Sequence, residues 1–308
     1  MGFYLATLGL MYWSFKFSYA VTLLIAIPAS FFLVRMFIVQ HDCGHGSFFS
    51  STRANDVLGS ICGVLTLAPY AHWRRQHAGH HANWKNLDRR ESGSDIYSAC
   101  LTVAEYRELS PWRRFLHRLP RHPLVAHVVF PPLIFLGLYR FAFDTPKDWI
   151  HERRSVWLTN LGVLAFWGLL TLGFGFRAVL MVQLPVVLLS SIVGVWLFSV
   201  QHRFETARWM RQADWSYADA ALKGSSYLAL PPILHWLTGN IGFHHIHHLS
   251  PRVPNYMLSA CHDSNALLRP DHPLSLGGAL SAGRLALWDE ANGMLVRFSD
   301  TALFLGPE

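Results

Sequence analysis

The sequence predicts an all-α integral membrane protein with about four transmembrane helices and a cytosolic helical cap. Three observations carry this. First, 52% of the 308 residues are hydrophobic and only 15% charged, with mean hydropathy +0.23, whereas a soluble domain carries about 25% charged residues. Second, long apolar runs recur at spanning length. Third, the 26 Lys and Arg residues are unevenly placed: all but Lys16, Arg35 and Arg177 fall between Arg53 and Arg154 or between Arg203 and Arg297. Apolar segments flank those two stretches, so the pattern reads as positive-inside bias.

The first apolar run, residues 2–13, supplies about 12 residues, or roughly 18 Å of helix. It lacks the basic start and small-residue cleavage site of a secretory signal, and it reads either as a half-helix or as a partial span whose beginning lies outside the chain, the second being favoured. Residues 19–39 hold one charge, Arg35, and are long enough for about 30 Å of hydrocarbon. Residues 156–176 and 178–200 form two further spans divided by Arg177, which marks a tight external turn, and Pro185 should kink the second. The runs at 57–70 and 125–143 are short or broken, as at Pro131 and Pro132, and read as interfacial or re-entrant helices. Residues 1–262 thus form the membrane domain, and 263–308, short on periodicity, a cytosolic tail. With this order of spans, both basic stretches lie on one face of the bilayer.

The 12 Trp, 10 Tyr and 21 Phe residues exclude disorder. The net charge of +7 follows the topology and does not mark a nucleic-acid face. Cys43, Cys62, Cys100 and Cys261 form no CxxC pair, which argues against a disulfide framework or thiolate zinc site. Cys43 reads as a small packing residue. No nucleophile elbow, phosphate loop, dinucleotide fingerprint or H-E-x-x-H pattern is present.

The 18 histidines carry the chemistry. His41 and His45 are spaced H-x3-H at the inner end of the 19–39 span. His77, His80 and His81 form H-x2-H-H in the first basic stretch, and His244, His247 and His248 repeat it in the second. His202 stands at the inner end of the 178–200 span. Residues three or four apart share a helical face, so two imidazoles can reach one ion. One site takes four to six ligands, so nine histidines on one side of a bilayer point to two metals. Imidazole suits iron, zinc, copper or nickel, and spacing does not choose among them. His72, His235 and His245 read as supporting or packing residues. His117, His122, His127, His151, His262 and His272 show no grouping and read as surface residues.

The segments HDCGHGSFF, HWRRQHAGHH and WLTGNIGFHHIHHLSPRVPNY closely resemble the three histidine boxes of membrane fatty acid desaturases, especially the bacterial acyl-lipid branch. VQHRFETARW and ALKGSSYLALP are similar to that branch as well, and the resemblance runs from about residue 17 to 262. It implies two iron ions (Fe2+/Fe3+) held by His41, His45, His77, His80, His81, His244, His247 and His248, with His202 as the extra helix-end ligand. Asn240 is a weaker candidate, holding a metal-bound water or serving as a structural amide.

The implied reaction removes two hydrogens from neighbouring methylenes of a fatty acyl substrate and reduces O2 with two electrons. No acid–base group can deprotonate an alkane, so a metal-borne oxidant is required. Trp73, Trp84, Trp196 and Phe243 could line an acyl tunnel or anchor the chain at the bilayer surface. The sequence has no haem or ferredoxin motif, which implies a separate electron carrier, ferredoxin or cytochrome b5. The expected location is a bacterial inner membrane with the boxes on the cytosolic face. Rival readings are a hydroxylase or ketolase of the same superfamily, a histidine-rich metal transporter, and a scaffold without catalysis. Transport sites belong near mid-bilayer on broken helices, whereas these clusters lie at helix ends.

Overall fold

The computed structural model describes residues 1–90 and 100–300. In chain order these hold α1 (Gly2–Ser14), α2 (Tyr19–His45), α3 (Thr52–Leu65), α4 (Tyr70–Ala82), β1 (Leu101–Thr102), α5 (Val103–Glu108), α6 (Pro111–Arg118) and α7 (Phe130–Leu136). There follow α8 (Ile150–Phe174), α9 (Phe176–His202), α10 (Tyr217–Gly224), α11 (Pro232–Leu237), α12 (His244–Leu249), α13 (Leu258–Ser264), α14 (Leu276–Ala282), β2 (Leu285–Asp289) and β3 (Met294–Arg297). The chain divides into two units. The first holds Met1–Arg75, Pro131–Val195 and Trp236–Gly239; the second holds Gln76–Phe130, Trp196–His235 and the chain from Asn240 onward.

Within the first unit, α2, α8 and α9 are long and apolar enough to cross a membrane. Residues 111–121 and 125–140 pass the same test only as a pair bent by 49°, so the interfacial or re-entrant run sits in a broken helix. The core joins Tyr4, Leu8, Met11 and Tyr12 of α1 to Ala26, Ala29 and Leu33 of α2 and to Val179, Val182 and Val186 of α9. Small residues on α2 let the helices approach closely. Buried polar groups in this core are paired: Ser30 donates to the Ala26 carbonyl (2.6 Å), and Ser14 and Thr22 share a hydroxyl contact of 2.9 Å. Deeper along α2, Gln40 donates to the Ala68 carbonyl and accepts from Thr66. Such internal pairing is what hydrocarbon demands of a polar group.

The outer faces are apolar. On α8, Leu161, Leu164, Leu169 and Leu172 are 62–87% exposed. Left in water they would forgo about 1.5–3 kcal/mol each, a sum comparable to a whole domain's stability. A bilayer removes that cost, and the protein is a membrane protein.

Helix ends extend past the expected spans. α2 runs six residues beyond 39, carrying His41 and His45, and stops at Gly46, whose φ of +68° is the left-handed cap that glycine adopts freely. α8 begins at Ile150 because His151–Arg154 continue the helix beyond its apolar stretch. The α8–α9 break falls at Gly175 (φ +83°), and Arg177 sits inside the first turn of α9.

Two expectations need correction in the second unit. Residues beyond 262, expected to be a tail short on periodicity, carry α14 and a hairpin of β2 and β3. β2 pairs with β1 in parallel (Leu101 opposite Leu287) and with β3 antiparallel. Every residue of β2 is buried, so neither alternation nor helical period marks it in sequence. Leu285, Trp288 and Leu295 pack there against Leu87 and Trp209. The hairpin is closed by Asp289, which accepts from the Ala291 and Asn292 amides before Gly293 at φ +65°. Second, His127 and His262 are buried, not surface residues.

Burial, aided by the Arg203 charge, pushes His127 down to about 4 from its ordinary 6.5. The unfolded chain therefore binds this proton near pH 6.5 and the folded chain only near pH 4. Stability is present in full above pH 6.5 and is lost as pH falls toward 4. The melting midpoint of the purified protein should fall between pH 7 and about pH 4.5, and His127→Gln should make that fall shallower. An unchanged slope in the variant would show that His127 is not protected by burial.

Candidate metal centre

The second and third boxes end in doubled histidines, and the helical geometry gives the doubling its purpose. Successive helical residues point about 100° apart, so His80 and His81, or His247 and His248, cannot serve the same position. In the second unit each pair divides. The ligand nitrogens of His77, His81 and His247 lie within 4.8 Å of one another, and those of His80, His202 and His248 do the same. The sequence arrives at two metals by counting ligands; the second unit contains two separate nitrogen groups.

The shortest spacings are between Nε2 atoms: 3.1 Å for His77–His81, 3.1 Å for His81–His247, 3.1 Å for His80–His202 and 3.0 Å for His202–His244. At these spacings neighbouring rings could turn their lone pairs toward a shared ion. All seven rings are buried, His202, His247 and His248 to 1% exposure. His248 Nε2 is buried with no hydrogen-bond partner among the described residues. Burial and the neighbouring imidazoles hold His248 well below the ordinary histidine range. A neutral imidazole with a bare lone pair in a buried, nitrogen-only cluster is the donor a borderline transition metal takes.

Local structure places each ring. His77, His80 and His81 occupy the last two turns of α4, and His202 is the last residue of α9. α12 is one short helix, fixed where Tyr217 donates to the His248 carbonyl (2.6 Å). His245, on the same helix, points elsewhere: its Nε2 donates to the Leu268 carbonyl at 2.7 Å, and its ring lies near Tyr227 and His262. Asn240 is not a turn of helix before His244. It follows Gly239 in a left-handed turn (φ +57°), and its side-chain amide donates to the Asn255 carbonyl at 3.0 Å. This geometry is that of the structural amide.

In the first unit, His41 and His45 end α2 with ring centroids 4.7 Å apart. His41 Nδ1 lies 3.1 Å from an Asp42 carboxylate oxygen, which sets the tautomer that leaves Nε2 as a lone-pair donor. Gly44 is required by proximity, since a Cβ would come within 3.0 Å of the Trp73 ring. Cys43 is buried, and its carbonyl accepts from Tyr70. His72 is paired with Asp144 at 3.2 Å.

Sequence reasoning missed Asp42 as a partner of His41, although a carboxylate adjoining a box histidine is a legible signal. Trp84, read as a tunnel-lining or bilayer-surface residue, is buried at 3% exposure with its ring 4.0 Å from His202, 4.5 Å from His80 and 5.2 Å from His248. Trp84 caps this nitrogen group and shields it from water. Phe243 packs against both Tyr227 and His235, whose rings also lie 6.2 Å from each other.

Metal that binds only the folded chain should raise its melting midpoint, by about 2.7 kcal/mol of stability at a hundredfold excess over Kd. His248→Ala should remove about half of that increment. His245→Ala should leave the increment intact whatever it does to the metal-free baseline. An undiminished increment in His248→Ala would remove that residue from the ligand set.

Comparison with known proteins agrees with this geometry. The chain matches the family model "Fatty acid desaturase" over residues 17–277. It is 43% identical to a fatty acid desaturase of Bacillus subtilis over 94% of this chain and 81% of that protein. It is 28% identical to the sn-1 acyl-lipid omega-3 desaturase (ferredoxin) of Synechocystis over 72% of this chain and 61% of that one. With a chloroplastic omega-3 fatty acid desaturase of Glycine max it shares 30% identity over 72% of this chain and 49% of the relative. The chain thus spans four fifths of the Bacillus protein but only about half to three fifths of the other two. A family match across most of the sequence, on a protein whose second unit gathers six of its histidines into two buried nitrogen groups, places this chain in the fatty acid desaturase family of membrane oxidoreductases.

Proposed function

We propose that the protein introduces a double bond into the acyl chain of a membrane lipid, using two irons held by His41, His45, His77, His80, His81, His202, His244, His247 and His248. The observation that carries this reading is the division of the doubled histidines between two buried nitrogen groups. One ion would need only one such group. Bound iron supplies the O2-derived oxidant that an unactivated methylene requires.

The chain's own residues do the remaining work. Burial and the neighbouring imidazoles hold His202 and His248 well below the ordinary histidine range, so each can present a neutral nitrogen. Asp42 orients the His41 ring, and Trp84 with Phe198 excludes water from the group containing His80 and His202. Position along the acyl chain is set by how far the lipid head group is held from the metals.

An acyl-lipid substrate and a separate electron carrier are supported by the Synechocystis relative, whose name gives both acyl lipid and ferredoxin. A basic surface suits an acidic carrier. The concentration of Lys and Arg in the two histidine-bearing stretches supports a cytosolic orientation, in the inner membrane of a bacterium.

The test is the fatty acid profile of a bacterial host expressing the chain with a ferredoxin system, measured by gas chromatography–mass spectrometry. A new monounsaturated species should appear and should fall about a hundredfold or more in His80→Ala. A hydroxylated product would replace desaturation with oxygen insertion. Equal product from His80→Ala would overturn the assignment of the site.

A further inference from the structure

The end of α9 is held by two donors from outside the helix. A helix leaves its last carbonyls outside its own ladder. Here the Gln201 carbonyl accepts from the Ser226 amide (2.9 Å) and the His202 carbonyl from the Lys85 ammonium (2.7 Å). The second is unusual because Lys85 is only 1% exposed. A buried ammonium is costly unless its charge is met. Its compensation is the negative end of the α9 dipole and two indole faces, Trp84 at 4.7 Å and Trp209 at 4.5 Å.

The backbone is shaped to deliver this group. Lys85 has φ +58°, a left-handed conformation uncommon outside glycine. It is stitched in place where Met210 N–H donates to the Lys85 carbonyl (3.0 Å) and Leu87 N–H to the Met210 carbonyl (2.9 Å). Gly224 makes room for the stem, since a Cβ there would overlap Lys85 Cγ. A strained backbone, a buried charge and a glycine required by close approach all converge on one carbonyl, that of His202.

His202 is also the one nitrogen donor of its group that belongs to no multi-histidine motif. His80 and His248 are braced by ligand neighbours on their own helices. His202 hangs from a helix terminus, where the last turn frays. We propose that Lys85 is a positioning residue that locks the end of α9 and so holds the His202 ring in place, setting the metal affinity of the group formed by His80, His202 and His248. This rests on the metal-site reading above.

The test is the iron-to-chain ratio of the purified full chain in four variants and the wild type, with helical content followed by circular dichroism. The wild type should hold about two irons per chain, and both Lys85→Met and His202→Ala about one. Lys85→Arg, which keeps charge and donor, should recover most of the loss. The double variant Lys85→Met/His202→Ala should hold as much iron as His202→Ala alone, because Lys85 acts only through that ring. A folded Lys85→Met with undiminished iron would overturn the proposal. So would a further loss in the double variant, which would assign Lys85 to the fold at large. If Lys85→Met yields no folded protein, Lys85→Gln is scored by the same two criteria. A wild type that binds no iron would overturn the metal-site reading and this proposal with it, an outcome distinct from either of the others.

Discussion

Seven imidazoles packed into one buried volume are the constraint on which the second unit depends. Buried polar nitrogens must be satisfied, yet His202 Nε2 faces both His80 and His244, and two neutral rings offer only one proton to each shared contact. Charging the rings would place like charges about 3 Å apart in a dry interior, at a cost no local contact repays. A cation that takes the converging lone pairs, as the proposed metal site would, relieves that conflict. The surrounding features make sense as supports for that arrangement: the ends of α4 and α9, the short α12 tied down by Tyr217, and the Trp84 cover.

The first unit answers a different solvent. Its inward faces carry small residues and internally paired hydroxyls, while α8 turns leucines outward. Ridges of that size have no aqueous explanation. The helices run past their apolar stretches, and those ends carry proposed ligands: the last six residues of α2 contain both His41 and His45, and the last residue of α9 is His202. Redox chemistry at a membrane surface needs ligands outside the lipid on elements anchored within it, and a helix longer than its apolar span meets both needs.

Much of this was legible in the sequence because its signals are periodic. Apolar runs give spans within a few residues, and the i, i+3 and i, i+4 histidine spacings mark the ligating faces. The assignment of His80 and His81 to different groups was readable too, since adjacent helical residues diverge. What escaped reading was non-local. β2 is buried on both faces and five residues long, so it carries no period. His127 and His262 lie in apolar surroundings assembled from distant segments, and no spacing marks them. Nothing in the sequence marks the left-handed turn that Gly239 and Asn240 adopt before His244. Lys85 looked like one basic residue among many, and only the fold brings it to the end of α9.

In the proposed site, histidines divided into two groups hold the metals and no cysteine does. Iron K-edge X-ray absorption on the purified protein, read with its iron-to-chain ratio, addresses it most directly. The account predicts about two irons per chain, each with a first shell of nitrogen or oxygen near 2.1 Å, roughly the imidazole distance, and no sulfur shell although Cys43 lies between two box histidines. A sulfur shell at about 2.3 Å, or a single iron that saturates the protein, would contradict it.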